Sequence, residues 1–203
     1  WKEIDIDRNK VQKIQQDNDF SEILSKLIVE KEFDKEEIFS IQNTIEFKNS
    51  FKKYDDFNRS VSLLVECIKK KEKICIFGDY DVDGSTATAI LVRFFKKLKH
   101  PFFFYIPDRI IHGYGPSIKT FKEVISQKPK LCILVDCGSS SYNEIELLNK
   151  NKIKSLIIDH HQIQKPFPKA NFIINPCKDN GYKKFDYLCA TALTYFFLDL
   201  VIK

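Results

Sequence analysis

Short, continuously apolar runs recur through the later part of the chain, and between them apolar residues return every three or four positions. KICIFG, PFFFYI, LCILV, SLII and FIIN are such runs, and they predict strands buried on both faces. VSLLVECIKK, with Val61, Leu64, Val65 and Ile68 on one side, predicts a helix before the first strand. TATAILVRFFKKLK, SIKTFKEVISQ and NEIELLNKN predict helices between strands, and LCATALTYFFLDL a terminal one. Strands alternating with amphipathic helices imply an α/β fold, a mainly parallel sheet with helices on both faces. The first 54 residues differ: they are charged, and FSEILSKLIVEKEF carries Ile23, Leu24, Leu27 and Ile28 at helical spacing. They are expected to form a small, mostly helical amino-terminal accessory segment, 1–54, ahead of an α/β domain spanning 55–203.

Composition narrows this only a little. With 203 residues and 43% hydrophobic content, the chain can bury one substantial core. Runs such as FFFYI are far shorter than the roughly 20 residues of a membrane span, and no signal-peptide pattern opens the chain, so a cytoplasmic protein is expected. Six cysteines stand mostly in apolar stretches without a CxxC pair, which reads as reduced core thiols. The net charge of +5 suits a polyanionic partner without requiring one, and most lysines read as solvated helix faces. Most of the 18 phenylalanines lie in predicted strands or helices, such as FFFYI, and read as packing. The chain has no methionine and stops in an apolar stretch, so it is expected to be a piece of a longer protein.

Chemistry concentrates where predicted strands end. In parallel sheets the functional crevice lies outside the carboxyl ends of the strands. There the first strand runs into Asp79, Asp81 and Asp83, the third into Asp136, Cys137 and Gly138, and the fourth into Asp159, His160 and His161. Carboxylates this close repel, and burial worsens the repulsion unless a cation lies among them. An EF-hand loop also begins DxDxDG, but its twelfth position needs Glu and here is Ile90, and a strand precedes Asp79 where that motif needs a helix. A haloacid-dehalogenase-type phosphatase explains a DxD but not the histidine pair. Alone, adjacent histidines at a strand end read as exposed or capping residues. Together with the carboxylates they form a mixed oxygen and nitrogen set suited to Mn²⁺ and related ions. Such a set allows two cations at roughly 3.5 to 4 Å, the arrangement that serves phosphoryl hydrolysis. Gly84, Ser85 and Thr86, and likewise Gly138, Ser139 and Ser140, either turn helix N–H groups toward a phosphate or simply cap helices.

GDYDVDGSTATAIL, PDRIIHGYGPS, VDCGSS and IDHHQIQKPFPKANFIINP, in this order and spacing, resemble the DHH phosphoesterase superfamily, and specifically its RecJ-type branch of single-stranded-DNA-specific exonucleases. The resemblance spans residues 55–200, and the segment opening at Trp1 is similar to the family's preface. It implies a DHH-type domain that uses two Mn²⁺ or Mg²⁺ ions to degrade single-stranded DNA from its 5′ end to mononucleotides in recombination and repair. By position it implies Asp79, Asp81, Asp83, Asp136 and His160 as metal ligands, with Asp79 alternatively an acceptor behind them. It implies Asp136 and His161 as catalytic, His161 positioning the scissile phosphate or stabilising its charge, and Asp159 as the group that sets a histidine tautomer. Arg109 resembles the family's phosphate-contacting arginine, the other reading being a surface salt bridge. Gly113 and Gly115, around Tyr114, imply a tight loop near substrate, with Gly138 and Ser139 also against substrate. The partners implied are single-stranded DNA, and a helicase or single-strand-binding protein that supplies it, for a monomeric enzyme.

In the family a further aspartate motif and a second domain follow the point where this chain stops, and Asp199 does not replace that aspartate. The isolated chain is therefore expected to bind metal poorly and to cleave DNA weakly or not at all. Two other readings stand beside the exonuclease: a phosphoesterase of the same superfamily acting on oligonucleotides, cyclic dinucleotides or pyrophosphate, and a scaffold that keeps the fold without catalysis.

Overall fold

A computed structural model of the protein describes residues 5–43, 49–113, 115–178 and 183–203. Trp1, which opens the expected preface, and Tyr114, between the two glycines of the expected substrate loop, lie outside the described residues. The chain divides into two units, Trp1–Lys48 and Asn49–Lys203. In the smaller, helices α1 (Arg8–Asn18), α2 (Glu22–Glu30) and α3 (Lys35–Gln42) are capped by Asp7, Ser21 and Asp34, the last in a capping box with Glu37. Val11 and Ile28 are buried, whereas Ile23 and Leu27 of the expected apolar stripe stay exposed.

The larger unit opens with a 3-10 turn (Ser50–Lys53) whose Phe51 is buried and stacks on Phe57 at 4.4 Å, so its core begins ahead of Asp55. Helix α4 (Asp55–Lys69) leads to strand β1 (Ile74–Phe77), α5 (Val82–Lys97), β2 (Phe102–Tyr105), α6 (Arg109–His112), α7 (Ile118–Ser126) and β3 (Leu131–Val135). Helix α8 (Tyr142–Lys150), β4 (Lys154–Ile158), β5 (Phe172–Ile174) and α9 (Ala190–Ile202) complete it. All neighbouring strands pair in parallel, in the order β2-β1-β3-β4-β5.

Both faces of this sheet are covered, as continuous apolar strands require. Ile74, Ile76, Leu131, Ile133 and Val135 pack on one face with Leu64, Leu91, Phe95 and Phe197 from α4, α5 and α9. The alternate residues Cys75, Phe77, Cys132 and Leu134 pack on the other with Phe121, Val124, Ile145 and Leu148 from α7 and α8. Cys67, Cys75, Cys132 and Cys137 are buried free thiols, as expected, but Cys189 is exposed because it stands at the start of α9. Among the described residues no helix is long and apolar enough to cross a membrane.

The strand order decides where function can sit. From β1 the chain turns to one side to build β2, then returns past β1 to build β3 on the other. Outside the carboxyl ends of β1 and β3 the connections diverge, and a crevice opens there.

Candidate metal centre

The chain leaves β1 through Gly78 and reaches Asp79, which is fully buried. Its Oδ1 accepts the N–H of Tyr80 at 2.8 Å, while its Oδ2 has no hydrogen-bond donor among the described residues. Asp81 caps α5, its Oδ1 accepting the N–H of Gly84 at 2.9 Å. That cap starts the helix at Val82, earlier than the TATAIL pattern suggests, and places Asp83 in the first turn. Gly84 lies flat against the strand end: a Cβ there would stand 2.6 Å from Asp79 Cβ and 2.8 Å from its backbone.

Asp83 has partners that no local pattern announced. Its two carboxylate oxygens accept the N–H groups of Ala190 and Thr191 at 2.7 and 2.8 Å, and the Thr191 hydroxyl donates to its carbonyl at 3.0 Å. A negative side chain thus sits on the amino terminus of α9, where the helix dipole favours it.

At the end of β3, Asp136 continues the ladder by donating its N–H to Ile158 at 2.9 Å, then turns the chain with φ of 61°. Aspartate is among the few residues with a side chain that visit this left-handed region readily. Gly138 follows at φ of 105°, where a Cβ would press within 2.8 Å of Leu134. Asp136 is 1% exposed, and among the described residues its Oδ1 accepts no hydrogen bond.

At the end of β4, Asp159 points back into the protein. Its Oδ1 accepts from the backbone of His160 and His161 and from His161 Nδ1, the last at 2.7 Å, and its Oδ2 accepts the N–H of Ser139 at 3.1 Å. Because an ionised carboxylate only accepts, His161 carries a proton on Nδ1. Asn175, beyond β5, was not anticipated. Buried, it donates to Ser139 Oγ at 2.8 Å and to the carbonyl of His161 at 2.9 Å, tying two loops together. The one local hint was a polar residue ending an apolar run, FIIN.

These three strand ends converge. Ligand atoms of Asp136, His160 and His161 all lie within 4.8 Å of one another, and so do those of Asp79, Asp81 and Asp136. Asp136 belongs to both groups. His160 Nε2 stands 3.3 Å from Asp136 Oδ1 and 3.5 Å from Asp83 Oδ2, so Asp83, in neither group, borders the first through His160.

The electrostatics follow from burial. Desolvation, reinforced by Asp83 and Asp81, pushes the Asp136 carboxyl up to about 8, and desolvation also raises Asp79. Burial pushes Asp83 and Asp159 the same way, yet both end below the usual carboxylate range, Asp83 through Thr191 and Ala190, Asp159 through His161 and Ser139. The Asp159 hydrogen bond raises His161 to about 9. Two buried carboxylate oxygens without donors, in two adjoining oxygen and nitrogen sets sharing Asp136, fit divalent cations of the Mn²⁺ or Mg²⁺ kind.

The remaining expected residues surround this centre. Arg109 opens the short α6, and its guanidinium lies over the ring of Tyr80, 5.4 Å from the centroid, between Asp79 and Asp81 in sequence. Gly113 ends α6 at φ of 74°. Gly115, Gly138 and Ser139 line a cleft of about 240 Å³ that also reaches Asp159 and His161. Of the two readings of the segments opening at Gly84 and Gly138, capping holds at Gly84, and at Gly138 there is no helix start, since α8 starts at Tyr142. The N–H groups of Gly84 and Ser139 do not face outward toward a phosphate, because they donate inward to Asp81 and Asp159.

A single-stranded-DNA-specific exonuclease RecJ of Bacillus subtilis is 28% identical over 192 residues, covering 93% of this chain and 24% of that protein. The RecJ of Haemophilus influenzae is 36% identical over 143 residues, covering 67% of this chain and 25% of its own length. The chain thus spans about a quarter of the length of these curated relatives. Among solved structures, an exonuclease RecJ bound to manganese matches with a TM-score of 0.65 at 28% identity, over 71% of this chain and 36% of that one. RecJ from Thermus thermophilus in complex with Mn²⁺ matches in fold, with a TM-score of 0.70 at 20% identity, over 95% of this chain and 26% of that one. Residues 73–201 match the model of the DHH family, N-terminal domain, and with well over half of its length matched the chain belongs to the DHH family.

Proposed function

We propose that this chain is the cation-holding part of an exonuclease that hydrolyses single-stranded DNA from its 5′ end to mononucleotides in recombination and repair. The observation that carries the reading is Asp136, a buried carboxylate shared by two ligand sets and lacking a hydrogen-bond donor on Oδ1. Asp79, Asp81, Asp136 and His160, with Asp83 through its remaining lone pairs, would hold two Mn²⁺ or Mg²⁺ ions, which when bound acidify water and draw negative charge off a phosphate. His161, held through Nδ1 by Asp159 and with its pKa raised to about 9 by that hydrogen bond, would donate from a protonated Nε2 to a phosphate oxygen. Arg109, braced on Tyr80, takes the phosphate as a bidentate partner. The RecJ relatives, described as single-stranded-DNA-specific exonucleases, favour this substrate over a small phosphoester. The presence of Asp79, Asp81, Asp83, Asp136 and His160, the ligands the resemblance implies within residues 55–203, favours an enzyme over an inactive scaffold. A helicase or single-strand-binding protein in the cytoplasm would supply the strand.

The test uses the longer parent protein on 5′-phosphorylated single strands. Asp136→Ala is expected to abolish Mn²⁺-dependent nucleotide release, and chelation is expected to do the same to the wild type. Release that survives either treatment removes the mechanism. A parent that binds strands but does not cut them, whichever divalent ion is supplied, makes the scaffold reading the better one.

A further inference from the structure

The edge of the sheet opposite the carboxylates has the reverse character. Because all five strands are parallel, their helix-to-strand connections gather at the amino-terminal edge. Four connecting segments, residues 69–73, 96–100, 127–130 and 150–154, contain twelve lysines and one acidic residue, Glu72. That excess is larger than the chain's net charge of +5, so the remainder of the chain is net negative. A lysine-rich composition alone would spread charge evenly, and this distribution is segregated.

The joints are built alike. Helices α4, α5, α7 and α8 each end with a lysine in the left-handed region: Lys71, Lys99, Lys128 and Lys152, at φ of 52°, 51°, 55° and 56°. Glycine is the residue such helix ends favour, and each lysine is strained there. All four are exposed, and with Lys130 they form no ion pair among the described residues. Lys73 and Lys130 stand level on adjoining chain segments, joined by a backbone hydrogen bond from Lys130 to Lys73 at 2.8 Å, whereas Lys154 stands opposite Leu131 and leaves the sheet on the other face, 3.8 Å from Glu66. Lys73 is held by the Gln127 carbonyl and side chain at 3.0 and 3.3 Å, so the exposed charge of this edge rests mainly on Lys130 and the four helix-end lysines.

We propose that this amino-terminal edge is a second nucleic-acid-binding surface, which holds the phosphate backbone of a strand, or of a strand segment, other than the one at the carboxylates. The four segments contain no arginine. Lysine alone acts as a hydrated point charge, which suits sequence-independent neutralisation of phosphates better than bidentate capture of carboxylates on an acidic protein. The choice of nucleic acid as the polyanion rests on the proposed function, while the basic edge itself does not.

Anisotropy of a labelled oligothymidylate, with the 203-residue chain in chelator, tests this free of any cleavage. The quadruple variant Lys71→Gly, Lys99→Gly, Lys128→Gly, Lys152→Gly removes four charges at positions where glycine relaxes the backbone, so the fold is kept. Its affinity is expected to fall at least about tenfold at about 50 mM salt, and the slope of log K against log salt to flatten by roughly 3, at about 0.7 per lost phosphate contact. Changing Lys10, Lys13, Lys31 and Lys35 to Gln, on the smaller unit, removes equal charge and is expected to change little. Equal losses in both variants, an unaffected glycine variant, or a wild type that binds no oligonucleotide overturns the proposal. Tighter binding of polyglutamate than of the oligonucleotide overturns it in favour of an acidic protein partner. None of these outcomes depends on whether Asp136→Ala abolishes cleavage, so the two readings fail separately.

Discussion

Asp159 holds His161 by Nδ1, at 2.7 Å, from a position in which Asp159 itself is 1% exposed. The carboxylate does not face the crevice: it orients the imidazole that does. Asp159→Asn keeps the shape but removes the charge, so the His161 pKa should drop from about 9 toward its ordinary value of 6.5. Supporting groups of this kind are worth about 10–100-fold in metal affinity or activity. A loss in that range, measured as Mn²⁺ affinity and as nuclease rate of the parent, is expected, with the histidine titration followed by NMR.

Asp136 makes the metal-free protein sensitive to pH. Its folded pKa, about 8, lies above the ordinary carboxylate value of 3.8, so between these limits the folded state binds a proton that the unfolded state has released. Stability from this group is therefore complete at low pH and lost as pH rises toward about 8, with a slope of up to about 1.4 kcal/mol per unit. Denaturant titrations in chelator should show that decline, and Asp136→Asn should flatten it. Mn²⁺ should bind more tightly as pH rises over the same window, because the proton must leave first.

Asp83 joins α5 to α9 as well as bordering the metal site. Asp83→Ala removes the cap of a 13-residue helix and is expected to cost about 1–2 kcal/mol in chelator, where metal binding plays no part. At roughly 2–4 °C per kcal/mol for a chain of this size, a melting curve resolves the loss. An unchanged melting temperature would mean that the cap contributes nothing.

Gly84 sets two effects against each other. In an ordinary helix Gly→Ala gains up to about 1 kcal/mol. Here the added methyl would lie 2.6–2.8 Å from Asp79, mostly against backbone that cannot rotate away. Gly84→Ala is expected to be net destabilising and to weaken Mn²⁺ binding by displacing Asp79, and calorimetry of unfolding and of metal binding would read both.

The parallel sheet and the three acidic strand ends were legible in one dimension, because apolar period and strand length are local properties of the chain. Asp79, Asp81, Asp136 and the histidine pair could be placed at one edge because parallel strands deliver their ends to the same side. Local pattern also showed that helices separate the strands, though Asp81, acting as a cap, moved the start of α5 back to Val82.

Packing between distant segments decided the rest. Asp83 meets Ala190 and Thr191 more than a hundred residues away, and Asn175 meets Ser139 across 36, contacts with no periodic signature. The same is true of the lysines. Each of their segments reads as a solvated helix end, and only a sheet with all strands parallel brings the four together. Sequence dictated which groups stand at each strand end, because backbone geometry is set by neighbours along the chain. Which of those groups face a cation, a helix terminus or one another depended on how the helices dock against the sheet.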